Sequence, residues 1–278
     1  MLIHHLNCAT QCVLGGRLVS GSGSLIRRVP LVCHCLLIET NSGLVLVDTG
    51  LGLRDIEHPQ QRLGWRFLLL ASPQLDPNQT AVRQVQRLGF SIDDVKHIIV
   101  THLDLDHVGG LSDFPLAQVH VLEAEWAAAS NLSTGLARYR YHQSSWSHNP
   151  RWVRYSYRGE RWKGFECVRQ LEGLPPEILL VPLLGHTHGH TGVAVNAHGK
   201  WLLHAGDAYY YRGEMDGHKP HCPLGLALVQ KLGAVDEKAR QLNQQRLRQL
   251  SKESAQDLCI FCAHDPVEFE RQLTDQAS

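Results

Sequence analysis

The run Thr101-His102-Leu103-Asp104-Leu105-Asp106-His107-Val108-Gly109-Gly110 concentrates two imidazoles and two carboxylates, spaced by Leu103 and Leu105. It follows the apolar segment His97-Ile98-Ile99-Val100 and so reads as a loop leaving the end of a buried strand. The leucines would anchor this loop while His102, Asp104 and Asp106 project the other way, and the glycines after His107 would let backbone approach an ion closely. Imidazole and carboxylate together suit zinc, iron or manganese better than calcium or magnesium. Three more apolar segments end in the same residue types: Pro182-Leu183-Leu184 leads to His186, His188 and His190, Leu202-Leu203-His204 leads to Gly206-Asp207, and Cys259-Ile260-Phe261-Cys262 leads to His264-Asp265. Strand ends on one edge of a sheet converge, so these residues can form one site despite their separation in sequence.

The elements that would position them come in clusters. Residues 32–38 and 44–48 read as strands joined by the turn Thr40-Asn41-Ser42-Gly43, and residues 97–100 as a third. Asn78 is the expected N-cap of a helix through Val82, Val85 and Leu88, stopped by Gly89, and Ser91 starts a short turn. In the second half, residues 178–184, 192–196, 201–204 and 258–262 read as strands. Asp236 is expected to cap a helix whose apolar residues are Ala239, Leu242, Leu247 and Leu250. Two sheets stacked between helices would cover every apolar face.

Composition narrows the function classes. The chain has 278 residues, 43% hydrophobic and 19% charged, with 27 basic residues balancing 27 acidic ones. That suits a globular domain with a sizeable core and argues against a wholesale basic surface for nucleic acid. No apolar run approaches the roughly 18 residues of a membrane span, and the start lacks the pattern of a secretory signal, so the expected location is cytoplasmic. Eight cysteines are then expected as reduced thiols, and Cys259-x-x-Cys262 has no second pair with which to build a structural zinc site.

The ordered motifs H-x-[HD]-x-D-H, Gly-His-Thr, Gly-Asp and a late His resemble the metallo-β-lactamase superfamily, and most closely its branch of acyl-homoserine lactone lactonases and related lactone or ester hydrolases. The resemblance spans roughly Cys33 to His264. It implies an α/β fold, an αββα sandwich in one domain over residues 1–278, with a dinuclear metal site at one edge. It also implies the ligands: His102, His186 and the position of Asp104 for the first ion, Asp106, His107 and His264 for the second, and Asp207 bridging both. Two divalent ions, zinc foremost and manganese or iron as alternatives, would carry a bridging hydroxide as nucleophile. Asp106 would relay a proton to the leaving alkoxide, and Tyr210, three residues after Asp207, would contact the substrate carbonyl. Asp48 would orient a ligand histidine through hydrogen bonds.

Lactonases of this branch usually carry histidine where this chain has Asp104. Three carboxylates and a hydroxide would then balance two divalent ions, giving a less electrophilic cluster, and the short aspartate could bind directly or through water. A carboxylate there also resembles the H-x-E-x-D-H pattern of flavodiiron proteins, but those need a flavin domain for which no sequence remains after His264.

Between the ligand motifs, residues 138–165 interleave aromatic residues (Tyr139, Tyr141, Trp146, Trp152, Tyr155, Tyr157, Trp162, Phe165) with arginines and Lys163. This stretch reads as a loop packed by its own aromatics, as a lid over the metal edge, or as a single-strand nucleic-acid surface. His190 is expected to fix its loop by hydrogen bonds, and His120 and His204 to be core histidines. The leading reading is a dinuclear hydrolase of small lactones or esters, a monomer or homodimer with no nucleic-acid or membrane partner. A phosphoester hydrolase, or a ligand-binding or signalling member with reduced catalysis, is the alternative.

Overall fold

Along residues 36–38 and 44–47 every side chain is apolar, yet successive residues go to different cores. Leu36, Ile38, Val45 and Val47 pack with Ile99, Ile178, Leu180, Val193, Val195 and Phe261, whereas Leu37, Leu44 and Leu46 pack with Val82, Val85, Leu111 and Phe114. Strand side chains alternate between faces, so a strand apolar on both must be covered on both. A third cluster places Val181, Ala194 and Leu203 against Leu247 and Leu250. The order is therefore helices, sheet, sheet, helices, the expected αββα sandwich.

The computed structural model describes residues 1–277 except Ser133, Thr134, Tyr157 and Arg158. Tyr157 and Arg158 of the aromatic and arginine stretch thus lie outside the described residues. The first sheet holds β1 (Ile3–Leu14), β2 (Arg28–Thr40), β3 (Gly43–Val47), β4 (Val95–Ile99), β5 (Gln118–Leu122) and β6 (Arg151–Tyr155), side by side in that order. The second holds β7 (Glu160–Trp162), β8 (Phe165–Gln170), β9 (Ile178–Pro182), β10 (Thr191–Ala197), β11 (Lys200–His204) and β12 (Leu258–Phe261), also neighbours in sequence order. β3 to β6 run parallel, as do β11 and β12; the other pairs are antiparallel. Each half of the chain builds one sheet.

Several local expectations are corrected. Asn78 lies inside a 3-10 turn, Pro77–Gln79, capped by the Asp76 side chain, and the helix Ala81–Arg87 begins after Thr80. Asp76-Pro77 supplies both the cap and the proline favoured at the first position, which outcompetes Asn78. Gly89 follows the helix at φ 89°, as its C′ role requires. Asp236 does cap the helix Glu237–Glu253, accepting from the Ala239 amide, but Leu242 is 56% exposed. The buried face instead includes Arg240, Asn243 and Gln244, which bond to Gln230, the Leu184 carbonyl and Glu214. The helix Leu224–Gly233 and the 3-10 turn Arg212–Met215, not a sheet face, supply two of these partners.

The stretch 138–165 is not one loop. Its middle is β6, pairing with β5 at the sheet edge, and its end is β7 and the start of β8. Trp146 meets Trp152 edge-on at 6.4 Å, Trp162 meets Trp201 at 5.1 Å, and Arg154 lies 4.3 Å over the Trp126 ring. Among its described residues, Tyr139 and Arg140 at the end of the helix Gly135–Arg140, and His142 just after it, line the cavity at the edge where the ligand motifs gather.

Candidate metal centre

The loop after β4, the loop between β9 and β10, the turn after β11 and the turn after β12 meet at one edge of the sandwich. Asp207 is at the centre, with its two carboxylate oxygens facing different neighbours. Its Oδ2 lies 3.7 Å from His102 Nε2 and 3.4 Å from His186 Nε2, and its Oδ1 lies 3.4 Å from His107 Nε2 and 3.2 Å from His264 Nε2. Asp104 joins the first group, its Oδ2 standing 3.1 Å from His186 Nε2 and 3.5 Å from His102 Nε2. Asp106 joins the second, its Oδ2 standing 3.6 Å from His264 Nε2 and 4.0 Å from His107 Nε2. All seven residues matched to metal ligands in the sequence thus gather as two adjoining donor sets.

The rings are oriented from behind. His107 Nδ1 donates to Asp48 Oδ2 (2.8 Å), His264 Nδ1 to the Val32 carbonyl (2.8 Å) and His102 Nδ1 to Thr101 Oγ1 (3.0 Å). Asp48, at φ 57°, also accepts the Thr101 amide and hydroxyl at 2.7 and 2.8 Å. With their far nitrogens committed, these imidazoles turn Nε2 lone pairs inward. His102 Nε2, His107 Nε2 and Asp207 Oδ1 are buried with no hydrogen-bond partner among the described residues, which buried polar atoms rarely tolerate without an ion or water. The donor set and these orphaned atoms fit divalent metal.

Other residues hold the loops in register. His190 donates from Nδ1 to the Leu183 carbonyl (2.9 Å) and accepts the Asp207 amide at Nε2 (2.8 Å). Gly206, at φ 54°, lies over that ring, where a Cβ would come 2.7 Å from Nε2; only glycine suits the turn. Glu125, fully buried, accepts the Leu103 amide at 3.0 Å and the Gly189 amide at 2.9 Å, joining the first two ligand loops. His120 and His204 are buried and hydrogen-bonded, to Tyr155 and the His34 carbonyl respectively.

Burial raises the cost of every charge, and specific neighbours decide the outcome. For Asp104, burial pushes the carboxyl pKa up, but the Arg140 guanidinium and His102 outweigh it and hold it well below the usual range. Asp207 is likewise pulled well below its usual value against burial, by His264 and His107. The Tyr210 phenol is pushed well above its usual value by burial and by the charges of Asp207, Asp104 and Asp106, so it stays a proton donor. Its ring sits 6.1 Å from that of His186 and 5.1 Å from that of His264, between the two donor sets.

Three residues were not picked out from sequence. The Gln11 amide donates to Asp106 Oδ2, and Cys33 Sγ lies 3.9 Å from the same oxygen. Both come from β1 and β2, whose polar residues show no ligand spacing like that after β4. Arg140 pairs with Asp104, its Nε lying 3.2 Å from Oδ1. It therefore adds a positive charge that the expectation of a less electrophilic cluster did not include. Beside Asp104 and Asp106 opens a cavity of about 340 Å³ lined by Leu63, Phe67, Leu70, Leu105, Val229 and Leu232, with Tyr139, Arg140 and His142 on its wall.

Among the described residues no helix is long and apolar enough to cross a membrane. A probable metallo-hydrolase of Mycobacterium tuberculosis is 40% identical to this chain over 264 residues, 95% of this chain and 80% of the relative. An N-acyl homoserine lactonase of Bacillus cereus is 24% identical over 241 residues, 82% of this chain and 85% of the relative. A solved N-acyl homoserine lactone hydrolase, with N-hexanoyl-L-homoserine at its catalytic metal centre, shares the fold at a TM-score of 0.71 and 20% identity, covering 99% of this chain and 97% of its own. Residues 28–247 match the profile of the metallo-beta-lactamase superfamily, and with its four layers and its edge of histidines and aspartates the chain belongs to that superfamily of metal-dependent hydrolases.

Proposed function

We propose that this metallo-hydrolase opens small lactones or esters that carry an apolar acyl group, using two divalent ions, zinc foremost. The carrying observation is Asp207, whose two oxygens are divided between two His/Asp donor sets, one aspartate of each set, Asp104 and Asp106, lining an apolar cavity. His102, Asp104, His186 and Asp207 would hold one ion; Asp106, His107, His264 and Asp207 would hold the other. When bound, the ions would lower the pKa of a water to about 7 and polarise the acyl carbonyl. Likeness to acyl homoserine lactonases supports the same substrate class.

The chain's own groups supply the rest. Leu63, Phe67, Leu70, Val229 and Leu232 bind the acyl tail by burying it, each methylene contributing about 0.8 kcal/mol. This aims the carbonyl toward Tyr210, whose retained proton can be donated to the developing oxyanion. Asp106, at the cavity floor and steadied by Gln11, is placed to pass a proton to the leaving alkoxide. No serine or cysteine nucleophile is needed.

The test measures metal content of protein purified without added metal, then turnover of acyl lactones of graded chain length beside an aryl phosphodiester. Two equivalents of metal and a preference for lactones rising with chain length are expected. Hydrolysis of the phosphodiester in preference to every lactone would overturn the substrate class in favour of phosphoesters. Absence of bound metal would overturn the mechanism.

A further inference from the structure

Arg140 takes no part in the steps above, yet all three nitrogen positions of its buried guanidinium are used. Nε pairs with Asp104 Oδ1 at 3.2 Å, Nη1 donates to the His186 carbonyl at 2.7 Å, and Nη2 donates to the Gly233 carbonyl. It thereby joins the ligand loop after β4, the ligand loop after β9 and the end of the helix Leu224–Gly233. The side chain is 8% exposed and arrives on the short helix Gly135–Arg140, from a different part of the chain than either loop. Asp104 is divided by this contact: Oδ1 faces Arg140, and Oδ2 faces the imidazoles of His186 and His102.

We infer that Arg140 is a positioning residue for the first metal set: it holds Asp104 as a one-oxygen ligand and supplies the buried positive charge that lets a third carboxylate occupy the site. The inference rests on the reading of His102, Asp104, His186 and Asp207 as one donor set. Before ions are bound, three aspartates so close together repel one another, and an uncompensated buried charge is strongly disfavoured. A guanidinium set against the oxygen turned away from the imidazoles offsets that charge without competing for the ligand oxygen. As an ion pair without a hydrogen bond at that oxygen, it draws Oδ1 toward the guanidinium and so favours the rotation that leaves Oδ2 to the imidazoles.

A purely structural arginine and a charge-pairing one differ in how they combine with changes at Asp104. Removing Arg140 strands the Asp104 charge, and replacing Asp104 by a neutral ligand strands the Arg140 charge. Removing both charges leaves neither stranded, so the double variant should be better than either single one.

The experiment is a cobalt titration followed by visible absorption and chelator competition on four proteins: wild type, Arg140→Gln, Asp104→His and the double variant. Wild type is expected to take two equivalents. Each single variant should keep one tight equivalent and weaken the other by about tenfold or more, and the double variant should recover most of that loss. Two equivalents at wild-type affinity in Arg140→Gln, or a double variant as weak as the sum of the singles, would overturn the role of Arg140 alone. Fewer than two equivalents in the wild type would overturn the two-ion reading and this role with it. If Arg140→Gln fails to fold, Arg140→Lys serves, since it keeps the charge; near-wild-type cobalt binding with lowered thermal stability is expected, and loss of the first equivalent there would refute the charge argument.

Discussion

In the set formed by Asp106, His107 and His264, both imidazoles are tethered to buried acceptors, a carboxylate and a carbonyl, and the aspartate accepts from the Gln11 amide. In the set formed by His102, Asp104 and His186, His102 is held by a threonine hydroxyl, His186 Nδ1 is buried with no partner, and Asp104 depends on an arginine from a separate segment. The difference has a physical source. The second set is backed by Val32 on β2 and by Asp48 just beyond β3, whereas the first meets Arg140 on the connection between β5 and β6. An ion in the second set should therefore be held more tightly, and gradual chelation should remove the first-set ion before the other.

The largest expected effect comes from the residue shared by both sets. Asp207→Asn should abolish the difference between them by weakening both, lowering turnover by about a thousandfold or more, because bound ions contribute several kcal/mol at the transition state. Steady-state kinetics with metal analysis reads this; loss of one equivalent only would show that Asp207 serves a single set. A smaller effect is expected from Asp48→Asn, which removes the charge behind His107. It should reduce affinity at the second set by about 10–100-fold and weaken the first by less, because Asp48 meets His107 directly but reaches His102 only through Thr101, as read by cobalt competition. Equal weakening at both sets would erase the proposed asymmetry.

The third prediction serves as a control away from both sets. Burial pushes the pKa of His5 down to about 4 and that of His120 down to about 3, from 6.5. Neighbouring His204 adds to the shift at His5, and His97 to that at His120. The unfolded chain thus binds protons more readily than the folded one, so stability is complete above pH 6.5 and falls as pH drops from there toward 4 and 3. Each group contributes about 1.4 kcal/mol per pH unit inside its window. Urea midpoints at pH 7 and pH 5, at matched metal load, check this. His5→Gln should lessen the decline without altering the order in which the two ions leave, and a decline that vanishes when metal is saturating would assign it to the donor sets instead.

Legibility in the sequence followed locality. The seven gathered donors lie at strand ends marked by apolar runs, and Asp104, Asp106 and His107 announce themselves by close spacing. β2, β3, β4, β9, β10, β11 and β12 were readable for the same reason, whereas β1, β5, β7 and β8 were not named as strands. Nor was β6, because in Arg151-Trp152-Val153-Arg154-Tyr155 the arginines stand three apart, which breaks the two-residue alternation of a strand, while its partner β5 lies far back in the chain. The polar buried face of Glu237–Glu253 was hidden because helical periodicity assumes that apolar residues face inward. Arg140 stood in view among many arginines, but only the folded chain shows which one meets Asp104. The same holds for Gln11 and Cys33, on strands that lack any local mark of chemistry.

Each donor set takes residues from both halves of the chain: His102, Asp104, Asp106 and His107 follow the first sheet's β4, while His186, Asp207 and His264 follow strands of the second sheet. A bound ion would therefore act as a cross-link between two layers that are otherwise held together by apolar packing and by hydrogen bonds such as those of His264 and His204 to β2 carbonyls. Such a clip closes long loops and stabilises the folded state in proportion to ion occupancy. The lifetime of the molecule against unfolding and proteolysis would then be set by metal supply as well as by its core. A cell short of the ion would lose the protein itself, and not merely its turnover.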